Sequence, residues 1–143
     1  MLTPKYSLCA EVISVDSSSN NVSATNILES VGVLTFPVLI PKLSAMVVLE
    51  KDSEDPPIHE VKVSARLDNK PLHETKFDLD FKSFNIGRSI LNINGLLLPG
   101  PGRLYFDFSV DNSIVDTFSI LVKQSTIEEM KAPPIVLMVP PKP

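Results

Sequence analysis

From Val61 to Leu67 the chain reads Val-Lys-Val-Ser-Ala-Arg-Leu, with an apolar side chain at every second position. Phe77, Leu79 and Phe81 alternate in the same way with Lys76, Asp78 and Asp80. So do Leu104, Phe106, Phe108 and Val110 with Tyr105, Asp107 and Ser109. Side chains on a β-strand point to opposite faces in turn, so a period of two marks strands with one buried and one wet face. Composition agrees: 32 Val, Ile and Thr residues stand against 5 Ala, and β-branched residues suit pleated sheets as Ala suits helices. Turn-forming clusters cut the chain at Ser17–Asn21, Ser53–Pro57, Asp68–Pro71, Pro99–Gly102 and Asp111–Ser113. The spacing predicts eight strands, over about 6–15, 22–31, 43–50, 58–68, 72–81, 89–98, 103–111 and 114–123. The fold class read from this is an all-β, immunoglobulin-like antiparallel β-sandwich of seven to eight strands. Pro37 and Pro41 cannot donate to a ladder, so the piece from Phe36 to Leu43 is expected to cross between sheets or to lie at an edge.

One register can be argued from charge. Pairing 58–68 with 72–81 so that partner numbers sum to 140 sets Val63 opposite Phe77 and Val61 opposite Leu79. It also sets Arg66 opposite Glu74 and Lys62 opposite Asp78. A sum of 138 would put Lys62 opposite Lys76, and like charges directly opposite are unfavourable, by roughly 0.2–1 kcal/mol per pair. The expected register is therefore 140.

A chain of 143 residues is of single-domain length. Leu, Ile, Val and Phe supply 50 residues, about 35% and well above the roughly 20% below which chains stay disordered. The sandwich is assigned to residues 1–125 and a separate C-terminal tail to 126–143. Net charge is -4, with no basic patch of the kind that binds nucleic acid. The N-terminus has no basic stretch followed by an apolar run, and no apolar run approaches the ~18 residues of a membrane span. The single Cys9 has no partner for an intrachain disulfide, which fits a reducing compartment. The Asn21-Val22-Ser23 triplet is a chance glycosylation match in such a setting. The reading is a cytoplasmic protein with no membrane or nucleic-acid partner.

Residues that carry chemistry are few. In the 140 register His59 and His73 lie eight residues apart along the sheet, roughly 26 Å, too far to share a metal; each is expected near solvent at a strand end. Cys9 shares a strand face with Glu11, Ile13 and Val15 and has no nearby base, so it is read as a small core hydrophobe. Glu11 would need hydrogen-bond donors if it pointed inward. Glu50, Asp52, Glu54 and Asp55 are read as a solvated loop, because no glycine shapes a calcium loop there. Pro99-Gly100-Pro101-Gly102 lacks the following helix of a phosphate loop. No nucleophile elbow, Cys-x-x-Cys or zinc-protease motif occurs. Neither an enzyme nor a cofactor or metal site is expected.

The tail reads differently. Thr126 to Lys131 could make one helical turn. Beyond it, Ile135, Val136, Leu137, Met138 and Val139 form an uncharged apolar run between Pro133-Pro134 and Pro140-Pro141. The prolines favour an extended segment, to be docked on its own domain as an edge strand or offered to another chain by strand addition. These five residues are the candidate protein-binding site. The expected function is a non-enzymatic protein-binding or accessory module acting through a sheet edge or this segment, on another protein or a second protomer. The alternative is a small-ligand binder or hydrolytic enzyme with its site at the loop end of the sandwich.

The order of motifs resembles a bacterial family of small sandwich proteins of unknown function, about 130 residues long and so of ordinary domain size. The residues that carry the resemblance are Tyr6 to Val12 with Glu11, Phe36-Pro37, and Ile40-Pro41 running into Leu43–Leu49. Leu96-Leu97-Leu98, Gly102-Arg103-Leu104-Tyr105-Phe106 and Val110-Asp111-Asn112 complete it, and it spans about residues 5–123. The chain departs at Asn20-Asn21-Val22-Ser23, where the family tends to have a glycine and a basic residue, which bears on the geometry of the first hairpin. The apolar tail lies outside the resemblance. The resemblance implies the sandwich and suggests an operon-encoded partner; it implies no activity, cofactor or catalytic residue.

Overall fold

The computed structural model describes residues 1–127. Nine strands run through them: β1 (Thr3–Val15), β2 (Val22–Ile27), β3 (Ser30–Val33), β4 (Val38–Glu50), β5 (Ile58–Leu67), β6 (Lys70–Asp80), β7 (Ile86–Leu98), β8 (Gly102–Val110) and β9 (Ser113–Gln124). They form a sheet of order β2-β1-β4-β7 and a second of order β3-β9-β8-β5-β6. Every ladder is antiparallel except β3 with β9, which is parallel.

The alternating residues do what their period requires. Val61, Val63, Ala65 and Leu67 of β5 and Leu104, Phe106, Phe108 and Val110 of β8 are buried in one core with Leu43, Ala45, Val47 and Leu49 of β4. Phe118 of β9 stacks on Phe106 and Phe108, with ring centroids 5.2 and 5.9 Å apart. Each such side chain withdrawn from water contributes roughly 1.5–3 kcal/mol, and together they hold the sheets face to face.

The strand expected over 22–31 is two strands in opposite sheets. Asn26 has a left-handed φ of 54°, and its side-chain amide donates to Glu11 Oε2 at 2.8 Å. Past this bend Leu28 still donates to Cys9 O at 2.8 Å, and the chain then joins β9 from Ser30 onward. Asn tolerates this conformation because its short amide bonds locally, so no glycine or proline signals the break. The count is therefore nine strands, not seven to eight.

Strand β4 also begins earlier than expected. Over residues 38–43 it has only β7 beside it, while β1 joins it from Ser44 onward. Pro41 is thus tolerated inside a strand because one side of that stretch has no neighbour to receive a donor.

The β5–β6 register is 138, not 140: Val61 faces Phe77 and Lys62 faces Lys76. The turn decides it. Leu67 pairs with Lys70 across a two-residue turn in which Asp68 has φ 50°. A bulge between Ala65 and Arg66 then restores the pairing of Ala65 with His73. Both registers have the same parity, so the buried face is unchanged. The like-charge pair lies on the solvated face, where screening keeps its cost small. Arg66 is instead bonded to Asp107, Nε to Oδ2 at 2.8 Å, and lies 4.1 Å over the Tyr105 ring.

A second apolar cluster lies on the outer side of the β1–β4 sheet. Met46 and Val48 alternate with the inward Ala45 and Val47, yet they are only 1% and 4% exposed. Ile13, Val22 and Ala24 from the far half of the β1–β2 hairpin pack there with Ile90. Strand parity changes between Ala10 and Ile13, both of which belong to this cluster, so the hairpin turns across the outer face and covers it. Asn20, with φ 60°, takes a left-handed position at the hairpin tip.

Candidate functional site

Strand β7 is the last of its sheet, so one side of its backbone is unpaired among the described residues. From Ser89 to Leu98 it carries no charged residue and no proline. Natural edge strands are usually guarded by Lys, Pro, bulges or brevity; this one is 13 residues long and has Arg88 as its only charge. At its end Leu97 faces Leu39 across the ladder, and the two are 56% and 60% exposed. Inward neighbours Leu96 and Leu98 are buried, which fixes the backbone that presents this pair.

Beside it lies an apolar groove of about 530 Å³. Leu28 and Val31 form one wall, the β4 stretch Leu39–Lys42 forms the other, and Glu11 stands at one end. The groove follows from two features already described: β1 leaves β4 at Ser44, and the chain switches sheets between Ile27 and Ser30. Glu11, buried or exposed being open from the sequence, is exposed and accepts from Asn26 Nδ2.

His59 is the residue that sequence reasoning placed wrongly. It is 6% exposed, with Nδ1 2.8 Å from Asp111 Oδ2 and Nε2 2.8 Å from Pro56 O. Its ring meets Phe81 edge-on at 5.9 Å. Asp111 sits in the β8–β9 turn with φ 49°, and the bond from His59 lowers its pKa below the usual carboxylate value, helped by the Glu60 backbone N–H at 3.1 Å. Turn geometry brings the two together from positions 52 apart in the chain. Both ring nitrogens are engaged and the ring is enclosed, so this pair locks a turn and has no open face for a substrate. His73 stands opposite Ala65 and is exposed, six residues along the ladder from His59's level, so the two imidazoles stay apart.

The other candidates resolve individually. Cys9 is buried, and burial alone pushes its thiol up to about 12, as a core residue requires. In the acidic loop the Met1 ammonium reaches Asp55 at 2.6 Å and Asp52 at 2.9 Å, and Lys5 reaches Glu50 at 3.1 Å. Among the described residues no group of three or more His, Cys, Asp or Glu side chains is placed to hold a metal ion. No helix there is long and apolar enough to cross a membrane. Ile135, Val136, Leu137, Met138 and Val139 lie outside the described residues.

Fold and surface together define a two-sheet, all-β sandwich protein with an uncharged edge stretch, interrupted by Gly95 at φ 85°, and an apolar side groove. No curated protein matches the chain. Residues 5–123 match the DUF6941 model, a family of unknown function, and the chain belongs to that family.

Proposed function

We propose that this protein is a non-enzymatic binding or accessory module that engages another protein, or a second protomer, by strand addition at the edge of β7. The observation that carries this reading is the uncharged, proline-free edge from Ser89 to Leu98. An unpaired row of backbone donors and acceptors is a template for another strand, and backbone bonding supplies affinity in such complexes while side-chain pockets supply specificity. The exposed Leu39–Leu97 pair adds apolar area at one end of that edge. The immunoglobulin-like description of the sandwich, a bacterial source, a cytoplasmic setting and an operon-encoded partner belong to the same reading. Its support there is the shared core of two sheets and the resemblance of motif order. A ligand-binding or hydrolytic site at the loop end has less behind it, since the histidine and carboxylate found there are spent on each other.

Light scattering coupled to size exclusion, on the wild type and on Leu97→Lys, tests the reading. Association of the wild type that rises with concentration and is lost in Leu97→Lys identifies a second protomer. If the wild type stays monomeric, the two proteins are compared as baits in the native cell. A partner retained by the wild type and lost by the variant supports the edge; equal retention by both overturns it.

A further inference from the structure

The His59 ring lies between two oxygens that can only accept. Nε2 is 2.8 Å from Pro56 O, and Nδ1 is 2.8 Å from Asp111 Oδ2. A backbone carbonyl has no proton to give, so Nε2 carries one. The Asp111 carboxyl, held below the usual carboxylate range by its bond to His59, is ionised at neutral pH, so Nδ1 carries one too. A neutral imidazole has a single N–H and could satisfy only one of these partners. The bonding is that of an imidazolium in a ring only 6% exposed.

The two bonds join separate pieces of the fold: Pro56 belongs to the loop between β4 and β5, and Asp111 to the turn between β8 and β9. Asp111 is anchored apart from the ring, with its N donating to Glu60 O at 2.9 Å and its Oδ1 accepting from Glu60 N at 3.1 Å. The loop is closed on itself, Asp55 N donating to Asp52 O at 3.0 Å and Asp52 N to Asp55 Oδ2 at 2.9 Å. It also holds the Met1 ammonium through Asp55 and Asp52. Pro57 is pinned separately, its carbonyl accepting from Phe81 N at 2.8 Å. A carboxylate is a stronger acceptor than a neutral carbonyl. A ring that gives up one proton therefore keeps Nδ1–H on Asp111 and turns a bare Nε2 toward Pro56 O.

We propose that His59 is a pH-operated latch: doubly protonated, it fastens the β4–β5 loop to the β8–β9 turn, and loss of the Nε2 proton releases the loop at Pro56. The charged groups acting on the ring are Asp111 and, through space, Asp55. From β6 its ladder partner is the uncharged Leu79, and the ring that meets it is Phe81. Asp55 and Asp111 lie below their ordinary values, and the Met1 ammonium, bonded to Asp55 and Asp52, lies above its own. Between about pH 5 and about pH 8 imidazole is the side chain whose charge changes, while these three neighbours keep theirs. The latch is therefore closed on the acid side of that window and opens as the pH rises. The inference makes no use of the β7 edge.

Hydrogen exchange of the Asp52 and Asp55 amides in the full chain, corrected for the intrinsic rate, tests it. Protection is expected to fall about tenfold or more from about pH 5 to about pH 8, the weight of one charge-assisted hydrogen bond. That pH dependence is expected to vanish in His59→Gln, which keeps the chain's other histidine, His73. Flat protection in the wild type, or an equal fall in His59→Gln, overturns the proposal. NMR of the ring nitrogens in the wild type gives a reading that does not rely on the variant. Protons on both nitrogens at about pH 5, with Nε2 the first to lose its own toward about pH 8, are expected. A single ring proton throughout, or loss from Nδ1 first, overturns it.

Discussion

Asp111 performs two jobs with one carboxylate. Oδ2 meets the buried His59 ring and Oδ1 accepts from the Glu60 backbone N–H, so the residue ties the β8–β9 turn to the start of β5. Asp111→Ala leaves a buried ring nitrogen without its acceptor, which costs about 1–3 kcal/mol and should show as a lower denaturation midpoint. The pKa of Asp111 is lowered in the folded state. Its contribution is therefore fully present above the unfolded value near 3.9 and is lost as the pH falls through the folded value. In Asp111→Asn the acid limb of the stability profile should flatten below about pH 4; a limb identical to the wild type would show the pair to be inert. Cys9 gives a second test. With its thiol pushed up to about 12 and enclosed, it should resist alkylation at neutral pH until the chain unfolds, so rapid labelling of native protein would contradict its placement.

At the scale of elements, the β1–β2 hairpin is the least conventional piece. By alternation Met46 and Val48 point away from the main core, and in an open sheet they would meet water. The hairpin instead turns across them with Ile13, Val22 and Ala24. Met46 should therefore behave as a core residue: Met46→Ala is expected to cost about 2–5 kcal/mol, against roughly 0.5 kcal/mol for an ordinary surface change. Chemical denaturation decides between them. The turn at Asp68–Asn69 shows a similar priority. Closing a tight two-residue turn outweighed one Lys62–Lys76 apposition on the wet side, which the charge argument had treated as decisive. Of the strands, those with strict alternation were legible nearly to the residue: β5 was expected over 58–68 and spans 58–67, and β8 was expected over 103–111 and spans 102–110. Those that bend or change sheets were not, because Asn26 and Pro41 act through neighbours that the linear pattern does not name.

For the molecule as a whole, the edge of β7 and the groove beside β4 both arise from incompleteness in the same sheet. One is its last strand, β7, and the other is the gap left where β1 peels away from β4. The amino-acid sequence by itself determined the β class, the faces of the alternating strands, the core they build and the lone buried thiol. It also supplied the apolar tail segment. Those properties follow from local periodicity and from the cost of leaving apolar or charged groups in the wrong solvent. The tertiary structure alone decided which strands stand at the edges, where the groove opens, and that His59 and Asp111 meet. Each of these depends on contacts between residues far apart in the chain, and strand order, turn closure and a left-handed Asn26 set those contacts without leaving a periodic trace.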